Sequence, residues 1–341
     1  MTLLPPRSMP GLFLYFLRQA SEFLIWIRGE FSDRIENRNR GDMMKEIKEE
    51  EVIFDFEPGL EIIEEIKPGE TIKVSVRDCF NEEITSAEDT IDDLDWDRLN
   101  PVTGPIGVVG AEPGDTLKIE IEEIEVADQG AMVTIPDAGC YGDMLEEATT
   151  RLIPIEDGEA VFNEDIRLEI EPMIGVLGTM PADEKIDTGN PGRHGGNMDA
   201  KKLTAGSILY LPVFEEKGKI ALGDMHAVMG DGEVSLCGVE TSGRVTFRVE
   251  LIKGKSRDWP ILQDDEFWYV ITSHKDLEKA VDIGLEEIYD FLEERIPLAR
   301  PEIVSLLSIA GDVEICQLVN PRKTIRAGIS RKSLENYEVS F

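Results

Sequence analysis

The sequence contains few of the residues on which disulfide-stapled, zinc-stabilised or membrane-spanning proteins depend. Four cysteines occur among its 341 residues, and no two of them form a C-x-x-C pair. This scarcity excludes a disulfide scaffold and a structural zinc module, and it is typical of the reducing cytoplasm, where we expect the protein to reside. No run of about 18 apolar residues is present, so no transmembrane helix is expected.

Basic residues are also scarce, because 35 Lys plus Arg face 70 Asp plus Glu, a formal balance of 35 − 70 = −35. Such a field repels phosphate backbones and anionic lipid surfaces, so we expect neither a nucleic-acid nor a membrane partner. A small neutral substrate would be neither attracted nor repelled. With 41% hydrophobic residues the chain is globular, and its length allows one large or two ordinary domains.

The first 42 residues differ in composition from the rest of the chain. They hold six Arg, no Lys and five acids, which leaves 29 bases and 65 acids for residues 43–341. We interpret residues 1–42 as an extension outside the domain, disordered or helical, with an amphipathic membrane-surface helix over 12–27 as the alternative. Residues 43–341 are predicted to form the β-rich unit, and a division into sub-domains 43–185 and 186–341 is left open.

Alternation of apolar and polar residues predicts half-buried strands over Thr71–Val76 and over residues 116–121. Each follows a Pro-Gly-acid turn in which glycine, at position 69 or 114, supplies the positive φ of a type II turn. A third, looser copy at 204–207 precedes the apolar segment ILYLPV. These turn-and-strand units predict a β-barrel or β-sandwich.

Further strands are predicted over residues 131–135, 160–162, 166–170, 233–239 and 245–252. Ser273 is the predicted N-cap of a helix over 276–295, whose apolar stripe includes Leu285, and Pro301 begins a second helix through residue 309. Many strands followed by two helices predict a mainly β fold with α-helical additions near the C-terminus.

The residue types that carry chemistry concentrate between positions 187 and 240. Two of the three histidines, His194 and His226, lie there in glycine-rich turns, close in sequence to the carboxylates of Asp199, Asp224, Asp231 and Glu233. Clustered glycines indicate tightly shaped backbone. Imidazole together with carboxylate suits a divalent metal, zinc first, which can activate a bound water. If the chain is extended, the Asp224-x-His226 spacing puts both side chains on one face of a strand.

Structural interpretations of the same residues stay open. His194 alone can be a loop histidine, His226 alone a buried core histidine, and the segment GDGE at 230–233 a hairpin turn. No G-x-S-x-G elbow is present, and Cys140 and Cys237 have no histidine near them in sequence. A nucleophilic triad is therefore disfavoured.

Five separate stretches have a recognisable pattern: NPVTGPI at 100–106, GVVGAEPGDTLKIEI at 107–121, GRHGGNMD at 192–199, LYLPV at 209–213 and GDMHAVMGDGE at 223–233. Together they resemble the acetamidase/formamidase family over about residues 52–330. The resemblance implies hydrolysis of short aliphatic amides to a carboxylate and ammonia, by a cytoplasmic, largely β, homo-oligomeric protein.

The resemblance also implies a bound divalent metal, zinc or calcium. On that basis Asp199 and His226 are the first candidate ligands, Asp224 and His194 the next, and Asp78 of the VRDCF segment matches a recurrent family aspartate.

An unactivated amide requires a nucleophile, stabilisation of the developing oxyanion and a proton for the departing nitrogen. A metal-activated water would meet the first need. Glu233, or alternatively Asp231, could take the water's proton and pass it to nitrogen. Asn197 and the amides of Gly195 and Gly196 could donate hydrogen bonds to the substrate oxygen, or could simply hold the turn.

Met229 departs from the family pattern, since members commonly have glutamine there, and this puts the substrate in question more than the chemistry. Two alternatives remain open. One is hydrolysis of a cyclic amide or another non-peptide C–N bond. The other is a non-catalytic β-sandwich whose carboxylates hold Ca²⁺, which oxygen-only coordination would favour over histidine in the ligand set.

Overall fold

The computed structural model describes residues 44–91 and 94–341. The predicted extension over 1–42 and the candidate surface helix over 12–27 lie outside these residues. Within the described part, neither long helix has the length and apolar content needed to cross a membrane.

Strands, most of them short, make up most of the regular secondary structure of the described chain. Those before residue 185 are β1 (Lys45–Ile47), β2 (Val52–Ile53), β3 (Asp55–Phe56), β4 (Glu64–Ile66), β5 (Thr71–Val76), β6 (Val102–Val108), β7 (Thr116–Val126), β8 (Gln129–Thr134), β9 (Thr149–Glu156), β10 (Glu159–Val161), β11 (Arg167–Glu169) and β12 (Met173–Thr179).

Those after residue 185 are β13 (Ile186–Asp187), β14 (Pro191–Gly192), β15 (Gly195–Asn197), β16 (Ile208–Pro212), β17 (Ile220–His226), β18 (Glu240–Thr241), β19 (Gly243–Ile252), β20 (Ile261–Gln263), β21 (Phe267–His274), β22 (Gly311–Gln317) and β23 (Lys323–Ser330). The two long helices are α1 (Leu277–Glu293) and α2 (Arg300–Ala310), and single 3-10 turns occur at Trp96–Arg98, Gly142–Met144 and Arg331–Leu334.

The strands form two large sheets. The first sheet has the order β1-β5-β19-β7-β16-β20-β21-β23-β22. The second runs β11-β10-β9-β8-β18-β17-β12-β15-β14, with β6 also paired to β17 and β2 and β4 paired to β6; β13 and β3 form a separate pair. Both large sheets join strands from before and after residue 185, so the boundary between the two predicted sub-domains falls within each sheet.

The main hydrophobic core lies between the two sheets. Val74, Ile119 and Phe247 of the first sheet share one buried cluster with Ile174 and Leu222 of the second. Since the inward residues of each strand alternate with outward ones, two sheets bury one face each against the other. The prediction of a mainly β, sandwich-like fold is confirmed.

The three predicted turns each close with a hydrogen bond of the expected kind. Glu70 N donates to Lys67 O at 3.1 Å, and Asp115 N donates to Glu112 O at 3.0 Å. Gly69 and Gly114 adopt φ of +89° and +91°, and Gly206 in the third copy adopts +87°. The strands that follow these turns, β5, β7 and β16, all belong to the first sheet.

Both predicted helices are present, and α1 packs against β21 and β23 through a second apolar cluster. The predicted N-cap is wrong, because Ser273 belongs to β21, where its hydroxyl is 3.2 Å from that of Thr324. Asp276 caps the helix instead, accepting from Glu278 N at 2.9 Å. Leu285, which belongs to the predicted apolar stripe, is 42% exposed, and Gly284 faces the sheet in its place.

The strand predicted over residues 233–239 is also wrong. Glu233 and Leu236 have φ of +45° and +96°, which breaks an extended chain. The segment before it is held by another strand, since Gly232 N donates to Cys316 O of β22 at 2.9 Å. The chain therefore forms an irregular loop from position 227 to 239 rather than a strand.

Candidate active site

Two candidate residues lie on β17 in the second sheet. Asp224 and His226 are both buried, and His226 Nε2 is 3.5 Å from Asp224 Oδ1. Asp224 has a φ of +56°, so this strand is not regularly extended there. β12 runs antiparallel beside it, with Ile174 opposite Met225 and Val176 opposite Gly223.

Asp199 reaches the same place from the turn that follows β15. Its carboxylate accepts a hydrogen bond from Asn320 Nδ2 at 2.6 Å. The amide of Asn197, with its nitrogen toward Asp199, is 2.7 and 2.9 Å from the two carboxylate oxygens. Both amides therefore hold the Asp199 carboxylate in one orientation.

Glu233 enters from the loop between β17 and β18. Potential ligand atoms of Asp199, His226 and Glu233 all lie within 4.8 Å of one another, and all three residues are buried. Glu233 Oε2 and Nδ1 of His226 have no hydrogen-bond partner. Asp199, Asp224 and Glu233 each have a left-handed φ, of +44°, +56° and +45°. Residues other than glycine adopt this conformation at an energetic cost, and such strain concentrates at functional sites.

A second group adjoins the first. Atoms of Cys79, Asp224 and Glu240 also lie within 4.8 Å of one another. Glu240 is paired directly opposite His226 across β17 and β18, and its Oε1 is 3.0 Å from His226 Nε2. The two groups therefore form one continuous polar cluster on the second sheet.

Burial dominates the electrostatics of this cluster. It raises the pKa of Asp199 to about 7, with the Asp224 carboxylate adding to the rise. It likewise raises the pKa of Glu240 to about 7, although the imidazole of His226 opposes the rise. Burial and the nearby Asp199 carboxylate raise the pKa of Glu233 well above its usual range. For His226, burial acts to lower the pKa, but Glu240 and Asp224 outweigh it and raise the pKa.

The cluster contains more carboxylates than there are basic side chains to pair with them. Within the described residues, its carboxylates have no Lys or Arg ion-pair partner, and His226 is the one basic group in contact with them. Several carboxylates cannot remain ionised in a buried site without bound protons or a cation. The arrangement therefore fits a site that binds a cation or stores protons.

A cavity of about 130 Å³ opens onto the cluster. Asn197, Asp224, Glu233 and Glu240 contribute its polar wall. Its apolar wall includes Phe80, Ile91, Trp96, Leu99 and Val133. Since liquid water occupies about 30 Å³ per molecule, the cavity holds roughly four water-sized groups.

The remaining predicted site residues are placed differently. Asp78 directly precedes Cys79 of the second group, and its carboxylate accepts a hydrogen bond from Glu82 N at 2.8 Å. Burial raises its pKa to about 6. Asp231 is turned away into an ion pair with Arg326, at 2.7 Å, and with Lys201, at 3.2 Å. His194 is in neither group of potential ligands and lines a separate cavity.

Three residues of the cluster were not singled out from the sequence. Glu240 lies within the glycine-rich stretch, and pairing of its strand with β17 is the signal that could have identified it. Cys79 follows the candidate Asp78 directly, although no histidine is near it in sequence. Asn320 comes from the loop between β22 and β23, 121 positions from Asp199, and no local pattern indicated it.

Comparison with known proteins agrees with this fold. The model of the acetamidase/formamidase family matches residues 41–192 and 182–269. A protein of the thermophile Thermoanaerobacter tengcongensis, described as a predicted acetamidase/formamidase, is 40% identical with a TM-score of 0.86, over 88% of this chain and 99% of that one. An acetamidase of Bacillus halodurans is 40% identical with a TM-score of 0.85, over 86% and 100% of the two chains.

A formamidase of Methylophilus methylotrophus is 26% identical over an alignment of 257 residues, with coverage of 58% of this chain and 63% of that protein. The chain thus spans less than two thirds of the length of this curated relative. Its alignments with the two solved structures cover nearly all of those chains. More than half of the chain matches the family model. The chain belongs to the acetamidase/formamidase family.

Proposed function

We propose that this protein hydrolyses short linear amides to a carboxylate and ammonia at the polar cluster around Asp199, His226 and Glu233. The observation that carries the proposal is the convergence of these three buried groups on one another, with unpartnered atoms on two of them, next to a cavity of about 130 Å³ that Glu233 lines. A space of roughly four water volumes suits an amide of three to five heavy atoms. The names of the family and of the relatives support the same substrate class.

The donor set supports a divalent metal as part of this function. An imidazole nitrogen beside carboxylate oxygens suits zinc better than calcium, which prefers oxygen alone. We assign Asp199 and His226 as the residues that would hold the ion, with Asp224 adjoining. When bound, such a metal supplies a Lewis acid that polarises the amide carbonyl and lowers the pKa of a water molecule.

The residues of the chain then have distinct roles. Glu233, whose Oε2 is unpartnered, accepts the proton of the attacking water and returns it to the departing nitrogen. Asn197 and Asn320 hold the carboxylate of Asp199 through their side-chain amides. The apolar wall of the cavity excludes bulk water, which strengthens each of these electrostatic contacts.

The test is ammonia release by the full chain, purified without chelator, from formamide, acetamide and propionamide, with γ-butyrolactam as a cyclic substrate. We expect release from at least one linear amide and loss of both metal and activity in Asp199→Ala and His226→Ala. His274→Ala, a histidine outside the cluster, is the matched control and should keep both.

Other outcomes discriminate between the alternatives. Opening of the lactam without hydrolysis of linear amides would favour a cyclic-amide hydrolase. A folded, metal-loaded protein that releases no ammonia from any amide would favour a binding module. Unchanged metal content in both alanine variants would overturn the assignment of Asp199 and His226.

A further inference from the structure

A second and larger cavity lies apart from the polar cluster. Its volume is about 430 Å³, and its lining includes Phe214, Trp259 and Ile283 on the apolar side and Arg193, His194 and Arg322 on the polar side. None of these six residues lines the cavity of the proposed amide site. The proposed hydrolysis therefore leaves this cavity without a role.

His194 is a buried polar group that lines this second cavity. The side chain belongs to the turn between β14 and β15, is 2% exposed and packs edge-on against Phe56 with ring centroids 4.9 Å apart. Neither ring nitrogen has a hydrogen-bond partner. Burial, followed by the charge of Arg322, lowers the pKa of His194 to about 3, so the ring is neutral and offers one N–H donor.

Arg322 supplies the charge. It follows β22 in the loop before β23 and is partly exposed at the cavity. Within the described residues its guanidinium forms no ion pair and no hydrogen bond, although the chain has twice as many acidic as basic residues. Arg193, by contrast, is paired with Asp258 at 3.3 Å. A free guanidinium and an unpartnered imidazole thus line the same cavity, and neither donor has an acceptor.

We propose that this cavity is a second ligand site, which binds a small organic monocarboxylate between Arg322 and His194. The planar fork of a guanidinium matches a carboxylate in two parallel hydrogen bonds, and the N–H of a neutral imidazole can donate a further one. The side chains of Phe214, Trp259 and Ile283 provide apolar surface for the hydrocarbon part of the ligand.

The surroundings favour a monocarboxylate over inorganic phosphate. Asp183 and Glu184 are exposed residues that also line the cavity, and their charges oppose entry of a dianion. Phosphate also makes no use of the apolar wall. The inference does not depend on the proposed amide hydrolysis, because binding is measured without turnover.

The test is calorimetric titration of sodium propionate into the full chain and into Arg322→Met, Asp199→Asn and Arg167→Met. We expect about tenfold or greater weakening in Arg322→Met, since a hydrogen bond to a charged group contributes roughly an order of magnitude in affinity. Asp199→Asn, which alters the amide site, and Arg167→Met, an exposed arginine on β11, should change the affinity by less than about threefold. Propionate should also change the fluorescence of Trp259, and Trp259→Phe should abolish that change.

Three results would overturn the proposal. The first is that propionate does not bind to the unaltered chain, and the second is that Arg322→Met binds it with unchanged affinity. The third is that Asp199→Asn loses binding, which would place the ligand in the amide site. Tighter binding of inorganic phosphate than of propionate would overturn the assignment to carboxylates. None of these results bears on whether ammonia is released from an amide.

Discussion

Two carboxylates converge on Gly175 of β12. A Cβ atom added there would lie 2.5 Å from Asp224 Oδ2 and 2.6 Å from Asp199 Oδ1. The register of β12 with β17 explains this closeness, because the pairs on either side place Gly175 opposite Asp224. The absence of a side chain at this one position therefore leaves room for both carboxylates.

We predict that Gly175→Ala lowers kcat/KM for amides by about 100-fold, because displacement of catalytic groups by about 1 Å has effects of that size. The added methyl group should lower the free energy of unfolding by about 1–3 kcal/mol. Steady-state kinetics and urea unfolding measure the two effects. Gly230→Ala, whose Cβ would meet nothing within 4 Å, is the control and should change neither. Full activity in Gly175→Ala would show that the two carboxylates are not required in their present positions.

Glu233 and Asp231 lie two positions apart, and the structure separates their surroundings. Glu233 is in the cluster with one oxygen unpartnered, whereas Asp231 is paired with Arg326. We predict that Glu233→Gln lowers kcat by about 10²- to 10⁴-fold, the usual contribution of a general acid or base. Asp231→Asn should lower kcat by less than about tenfold. The reverse order of effects would assign the proton transfer to Asp231, the alternative that the sequence left open.

At the scale of the elements, the loop from 227 to 239 is fixed to the first sheet by one fully buried arginine. Arg326 of β23 donates from Nη1 and Nη2 to the two oxygens of Asp231, at 2.7 and 2.8 Å, and from Nε to Glu314 at 2.7 Å. A parallel bridge between Gly232 and Gln317 continues the attachment. The loop that carries Glu233 is thereby held against β22 and β23.

This attachment predicts a pH-dependent contribution to stability. Burial acts to raise the pKa of Asp231, but the hydrogen bonds and charge of Arg326 outweigh it and lower the pKa below the ordinary 3.8. When the pKa of a carboxyl group is lower in the folded than in the unfolded protein, its ionisation stabilises the fold. The full contribution is present at a pH above the unfolded-state pKa, and it is lost as the pH falls through the folded-state pKa. Asp231→Asn should therefore lower the free energy of unfolding by about 3 kcal/mol at pH 7, by leaving a buried arginine underpaired.

The difference in free energy of unfolding between the unaltered protein and Asp231→Asn should shrink as the pH falls below about 4. Urea unfolding at several pH values measures it. The control is Asp312→Asn on β22, an exposed residue outside this ion pair. A difference that is constant across the range would mean that the charge of Asp231 is not what holds the loop.

At the scale of the whole molecule, the excess of acidic residues extends into the interior. The chain carries a formal charge of −35, and this excess includes the carboxylates of the buried cluster, which no Lys or Arg of the described residues neutralises. Surface charge is solvated and costs little, whereas buried charge requires a partner. A bound cation would therefore stabilise the fold as well as serve the chemistry.

We predict that dialysis against a chelator lowers the thermal midpoint by at least a few degrees and that added zinc restores it, because a ligand bound only to the folded state stabilises that state. Differential scanning calorimetry measures both shifts. His226→Ala should show neither, because it has lost the imidazole assigned to the metal. An equal response in the unaltered protein and in His226→Ala would place the metal elsewhere.

Much of the fold could be predicted from the sequence, because alternation and turn chemistry are local properties. The strand Thr71–Val76 was predicted at its observed bounds, and the turns at Gly69 and Gly114 have the expected positive φ. The prediction of a strand over 233–239 is wrong because the apolar content of a segment does not reveal which of its residues adopt a left-handed φ. The predicted N-cap is wrong because Ser and Asp are equally good caps in sequence terms. Ser273 is part of β21, so only Asp276 is free to cap the helix.

The sequence by itself determined the mainly β class, the positions of both helices, membership of the family through its separate motifs, and the stretch in which the cluster lies. Tertiary structure alone decided which of the candidate side chains meet. Strand pairing puts Glu240 opposite His226, a distant loop brings Asn320 to Asp199, and Arg326 takes Asp231 out of the cluster. Local pattern depends on neighbours in the chain, whereas a site depends on strand register and loop paths, which only the packed sheets fix.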